Sequence, residues 1–143
     1  MKRIETISEA MTRDPFTIKT KDRLCDIIDL LQNVRFDHLP VVDEMGHLRG
    51  IVSKTDLYKK AIHLSQNTSG KSFTNKTLFI TKAEDIMTKA PVTVDLHQSM
   101  EYAIELLLQD EFHALPVMED NKLVGILTAK DILTAKADKY GIY

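Results

Sequence analysis

Met11-Thr12-Arg13-Asp14-Pro15-Phe16-Thr17-Ile18 and Met87-Thr88-Lys89-Ala90-Pro91-Val92-Thr93-Val94 are one pattern written twice. Internal repetition decides architecture before any single element does. The offset that takes Met11 to Met87 also carries Ile28, Leu30 and Leu31 onto Ile104, Leu106 and Leu107. It carries Phe36-Asp37-His38-Leu39-Pro40-Val41 onto Phe112-His113-Ala114-Leu115-Pro116-Val117. Beyond the next turn the second copy is one residue shorter, and Gly50-Ile51-Val52-Ser53-Lys54-Thr55-Asp56 matches Gly125-Ile126-Leu127-Thr128-Ala129-Lys130-Asp131. The lost residue falls within Asp43 to His47, and a length change confined to a polar turn is what a hairpin tolerates.

Each copy reads as strand, helix, strand, strand, helix. Leu24, Ile27, Ile28, Leu31 and Val34 recur at helical spacing behind Lys21-Asp22, a capped start. Leu39 to Val42 and Leu48 to Val52 are short apolar runs about a turn, hence a β-hairpin, and Ser53 caps a second helix to Leu64. In copy two Met100, Ala103, Ile104 and Leu107 mark the helix, Leu115 to Met118 and Leu123 to Leu127 the hairpin, and Thr128 caps a helix to Lys139. Thr6 to Met11 and Thr81 to Met87 are short opening helices, and Leu78-Phe79-Ile80 is a lead-in strand or cover for copy two. The fold class is α/β (α+β), with repeat 1 at residues 1–64, a polar linker at 65–77 and repeat 2 at 78–143. One such unit, at roughly fifty residues, has little core of its own. Two copies related by a pseudo-two-fold axis, sheets facing and a cleft between them, would cover each other.

Composition narrows the function. The chain has 143 residues, 19 Lys+Arg against 21 Asp+Glu, one Cys and 43% apolar residues. Near-neutral charge supplies no global field for nucleic acid or an anionic membrane. Cys25 alone forms no internal disulfide or multi-Cys metal site, which suits a reducing interior. With no apolar run of signal or membrane-span length, the expectation is a soluble, cytoplasmic protein. His38, His47, His63, His97 and His113 lack zinc-enzyme spacing, no phosphate-binding glycine loop is present, and no nucleophile stands beside a base, so the expectation is no enzyme. Lys54, Lys59, Lys60, Lys71, Lys76 and Lys82 read as a solvated basic scatter.

The chemistry concentrates at two helix starts. Ser53 and Thr128 put a hydroxyl where unpaired N–H groups favour a phosphate. Asp56 and Asp131, three residues on, carry oxygens that can accept both hydroxyls of a ribose. The same spacing is a capping box, in which the acid returns to its own helix start; the two uses are compatible. Gly50 and Gly125 inside strands imply close approach of a ligand or another backbone, or a bulge. Pro40 and Pro116 read as strand-edge residues.

The ordered set Met-Thr-x-x-Pro-x-Thr, apolar-Pro-Val and Gly-apolar-apolar-[Ser/Thr]-x-x-Asp, twice in tandem, resembles a cystathionine-β-synthase (CBS) domain pair over residues 5 to 138. The resemblance implies a regulatory module for an adenosine-containing ligand (AMP, ADP, ATP, S-adenosylmethionine or NAD) in the cleft between the repeats. It gives Asp56 and Asp131 the ribose, and it places adenine near Thr17-Ile18 and Leu39-Pro40 in one copy and Thr93-Val94 and Leu115-Pro116 in the other. The position three before the Pro, often basic in family members that hold a phosphate, is His113, next to Ala114, in copy two. In copy one it is Asp37, next to His38. Lys130 stands where copy one has Thr55. The Asp131 site is therefore expected to bind a phosphate-bearing ligand better, leaving the Asp56 site to a nucleoside moiety, to a ligand with Mg2+, or empty. No cofactor is obligatory. The expected partners are a second copy in a homodimer and an unknown effector protein in another chain. The competing reading is a structural dimerisation and assembly module with vestigial clefts.

Overall fold

The computed structural model describes residues 6–33, 37–66, 79–109 and 112–141. In chain order the elements are α1 (Ile7–Ala10), β1 (Thr12–Arg13), β2 (Ile18–Lys19), α2 (Leu24–Leu31), β3 (His38–Val42), β4 (Leu48–Ser53) and α3 (Lys54–Gln66). There follow α4 (Ala83–Ile86), β5 (Thr88–Lys89), β6 (Val94–Asp95), α5 (Met100–Leu107), β7 (Ala114–Glu119), β8 (Lys122–Thr128) and α6 (Ala129–Lys139). The expected strand-helix-strand-strand-helix order is present in both copies, and so are the opening helices. The linker at 65–77 lies almost wholly outside the described residues, as does Val34. Phe79 and Ile80 are helical, not a lead-in strand, and the Phe79 ring stacks on the Arg23 guanidinium 3.9 Å from its centroid.

The packing does not follow the order of the repeats. One compact unit holds Phe16–Ala90 and the other holds Met1–Pro15 with Pro91–Tyr143. The division at 1–64 and 78–143 marks what is repeated along the chain; the opening segment of each repeat packs with the body of the other.

In the Phe16–Ala90 unit the sheet order is β2-β3-β4-β5, with β2 parallel to β3 and the other pairs antiparallel. Its buried cluster contains Ile18, Leu24, Ile27, Leu31, Leu39, Val41, Val52, Leu57 and Ala83. The contributions follow the pattern: Leu24, Ile27 and Leu31 recur on one face of α2, and Leu39 and Val41 alternate along β3. The α2 start differs from the expectation. Arg23 is the N-cap and makes no side-chain cap bond, since a guanidinium has donors only; the Asp22 carboxylate accepts the Lys19 N–H at 2.8 Å in the preceding turn.

The second unit repeats this plan as β1-β8-β7-β6, with β6 parallel to β7 and β1 antiparallel to β8. Ile7, Met11, Val94, Met100, Ala103, Leu115, Val117 and Leu127 form its core. Ser99 caps α5 by accepting the Tyr102 N–H at 3.1 Å.

The prolines are not on edge strands: Pro40 and Pro116 are buried in β3 and β7, each with a neighbour on both sides. The missing donor is tolerated because the parallel ladders begin only at Val41 and Val117, one residue further on. The hairpin turns carry the length change. In the first, Gly46 has φ 84°, and Asp43 accepts the N–H groups of Met45 and His47 and the Arg49 Nε–H at 2.9 to 3.0 Å. The His47 N–H, then Arg49 and the Met45 N–H, hold the Asp43 carboxyl below its ordinary value against the opposing effect of desolvation. In the second, Asp120 and Asn121 both have positive φ, 50° and 65°, as a tight two-residue hairpin requires.

Candidate functional site

Each unit turns from its last hairpin strand directly into a helix, and that corner gathers the candidate residues. In the Phe16–Ala90 unit the register sets His38 opposite Ser53 and Leu39 opposite Val52. In the other unit Ala114 faces Thr128 and Leu115 faces Leu127. Extending the parallel pairing of Ile18 with Val41 and Val94 with Val117 by one residue sets Thr17 beside Pro40 and Thr93 beside Pro116. The strands therefore bring each predicted group together at one end of its own sheet.

The side chains do not all face outward there. Ile18, Leu39, Val94 and Leu115 are within 2% of complete burial and belong to the cores. Their side chains are committed to packing, and what these strand ends offer is backbone and the half-buried Thr17 and Thr93. His38 and Ala114 are half-buried, while Thr55, His113 and Lys130 are exposed.

The two helix starts differ in how their acids are used. Thr128 Oγ1 accepts the Asp131 N–H at 3.2 Å, and Asp131 Oδ2 accepts the Thr128 N–H at 3.0 Å, a complete capping box. The other oxygen, Oδ1, accepts the Thr12 hydroxyl at 3.3 Å. Asp131 is half-buried and held from both sides. At the other corner Ser53 Oγ accepts the Asp56 N–H at 3.0 Å, but no hydrogen bond among the described residues reaches the exposed Asp56 carboxylate. The capping use is thus complete in one copy and half-made in the other. Two carboxylate oxygens have about four acceptor positions, so Asp131 retains room for ribose hydroxyls in a fixed orientation.

The glycines show both expected features: each hairpin's register shifts beside them, between Val41 and Val42 opposite Gly50 and between Val117 and Met118 opposite Gly125, and another backbone approaches each closely. A Cβ on Gly50 would meet Met87 Sδ at 2.5 Å and Thr88 O at 2.7 Å; on Gly125 it would meet Met11 Sδ at 2.5 Å and Thr12 O at 2.9 Å. The Met-Thr pair that opens each repeat is thereby laid across the glycine of the other copy's strand. Thr12 is the site residue the sequence reading missed. Its partner lies at the opposite end of the chain, and only the place of Met-Thr in the repeat hinted at a role. Among the described residues no group of three or more His, Cys, Asp and Glu side chains is gathered for a metal ion, and no helix is long and apolar enough to cross a membrane.

Two four-stranded units, each turning into a helix at a Ser/Thr-x-x-Asp corner, define a class. The CBS domain family matches residues 7–63 and 83–138; the chain belongs to that family. It is 30% identical over 138 residues to the inosine-5'-monophosphate dehydrogenase of Methanocaldococcus jannaschii, covering 96% of this chain but 24% of that enzyme. The CBS pair protein CBSX2 of Arabidopsis thaliana, solved in complex with AMP, superposes with a TM-score of 0.76 at 30% identity, covering 94% of this chain and 98% of that one. A CBS domain pair in complex with 5'-methylthioadenosine and S-adenosyl-L-methionine superposes with a TM-score of 0.75 at 25% identity, covering 96% and 99%.

Proposed function

We propose that this chain is a regulatory sensor that binds an adenosine-containing ligand, of the class AMP, ADP, ATP, S-adenosylmethionine or NAD, at its Asp-bearing helix starts and modulates a separate effector protein as a homodimer. One observation carries this reading: a strand-to-helix corner built twice, each with a hydroxyl cap and a carboxylate three residues on, in a fold whose counterparts hold AMP, methylthioadenosine and S-adenosylmethionine. Ligand gathering groups from several elements favours one arrangement of them over others, and this population shift is the signal.

Asp131 is the tighter site in this proposal. Its carboxylate is held in place before the ligand arrives, so less order has to be created on binding, and His113 and Lys130 stand ready for a phosphate. The reading is tested by titration calorimetry with AMP: Asp131→Asn, which keeps one oxygen acceptor, is expected to weaken binding more than Asp56→Asn. The reverse order would refute the ranking. A thermal-shift screen of the whole ligand class supplies the broader test, because a ligand at a hundred times its Kd adds about 2.7 kcal/mol. The completed capping box at Asp131 favours the other reading, an assembly module, and no thermal response to any of these ligands would establish it.

A further inference from the structure

Beside Asp56, a cavity of about 370 Å3 lies against α3 and α4, lined by Asp56, Lys59, Lys60, His63, Asp85 and Ile86. Its volume is within the range of small-molecule sites, about 300 to 1,000 Å3. Asp56, Lys59, Lys60 and His63 stand at i, i+3, i+4 and i+7, so they share one side of α3. Lys59 and Lys60 make no ion pair or hydrogen bond among the described residues. Asp85 is already engaged, accepting the Lys82 N–H at 2.9 Å at the start of α4. The wall thus offers one open carboxylate, a group that takes hydroxyl donors, next to two open ammonium groups, which take anionic acceptors. A plain anion would use the lysines and be repelled by Asp56; a cation would do the opposite. A sugar phosphate uses both. The matching side of α6 is Asp131, Thr134, Ala135 and Asp138, which has no cation, so the feature belongs to one copy alone.

We propose that this cavity is a phosphate-chain subsite, with Lys59 and Lys60 binding the phosphates of a nucleotide whose ribose Asp56 holds. It rests on the sensor reading above and gives the Asp56 site a ligand class of its own, nucleoside di- and triphosphates. Lys59 and Lys60 act as specificity residues there, and at the matching positions of α6 stand Thr134 and Ala135.

The test is calorimetric titration of adenosine, ATP and tripolyphosphate into the wild-type protein and the exposed double variant Lys59→Gln/Lys60→Gln, with circular dichroism as the check on folding. Two charge-assisted hydrogen bonds in a solvated site are expected to leave the variant about tenfold weaker for ATP at the Asp56 site, with adenosine changed less than about twofold. Tripolyphosphate binding that the variant loses, with no binding of adenosine or selectivity for ATP, would overturn the nucleotide assignment and with it the sensor reading, leaving a free-polyphosphate site. Equal affinity of wild type and variant for both ATP and tripolyphosphate would overturn the subsite itself while leaving adenosine binding, and the sensor reading, intact.

Discussion

The helix starts of α3 and α6 come from the same motif and have been put to different use. At α6 the acid is clamped: its backbone partner and Thr12 take both oxygens, and the following turns carry Thr134 and Ala135. At α3 the acid is open, and the following turns carry Lys59 and Lys60 beside a cavity. A duplicated scaffold can keep one geometry twice while the charges around it diverge, because the scaffold is set by core positions and the charges lie outside it. One corner is preorganised and the other is charged.

The largest effects are expected where the copies still agree. Gly50→Ala and Gly125→Ala both force a methyl group into methionine sulfur and strand carbonyl, and overpacking of this kind costs about 1 to 3 kcal/mol. Chemical denaturation should rank Gly50→Ala as the more damaging, since its nearest carbonyl is at 2.7 Å against 2.9 Å. Equal wild-type stability in both variants would mean that the Met-Thr strands do not lie across these glycines.

The next effect separates the corners. Asp131→Ala removes half of a capping box and the Thr12 bond, and is expected to cost about 1 to 2 kcal/mol. Asp56→Ala removes a carboxylate without a hydrogen-bond partner among the described residues and is expected to change stability by less than about 0.5 kcal/mol. Urea unfolding of the two variants side by side measures the difference, and equal losses would break the contrast between a clamped and an open acid. Thr12→Val should reproduce part of the Asp131→Ala loss, and Thr88→Val none.

The smallest expected effect concerns the hairpins. The Asp43 carboxyl is held below its unfolded value, about 3.9, so its contribution is present above that pH and is lost as pH falls through the lower folded value. Asp43→Asn is therefore expected to flatten part of the acid limb of the stability curve as pH falls through and below the ordinary carboxylate value. An unchanged acid limb would show that the turn does not depend on the ionised carboxylate.

The site was legible to the extent that it is local. Ser53 with Asp56 and Thr128 with Asp131 lie three residues apart, so a helix start fixes their relation, and the hairpin register follows from two apolar runs and one turn. The roles of Ile18, Leu39, Val94 and Leu115 were less legible. An apolar residue near a strand end can face a ligand or the core, and only the packed sheet shows that these four face the core. Lys59 and Lys60 read as part of a solvated scatter because nothing along the chain shows α4 closing a cavity beside them.

By itself the sequence determined the repeat, the element order and the two helix-start motifs, since spacing and periodicity act over a few residues and survive duplication. Only the tertiary structure decided which segments form a unit, with the Met-Thr strand of each repeat hydrogen-bonded to the glycine strand of the other. It also decided that Asp131 is clamped by Thr12 while Asp56 stands open. Both depend on contacts between residues far apart in the chain, which no local pattern encodes.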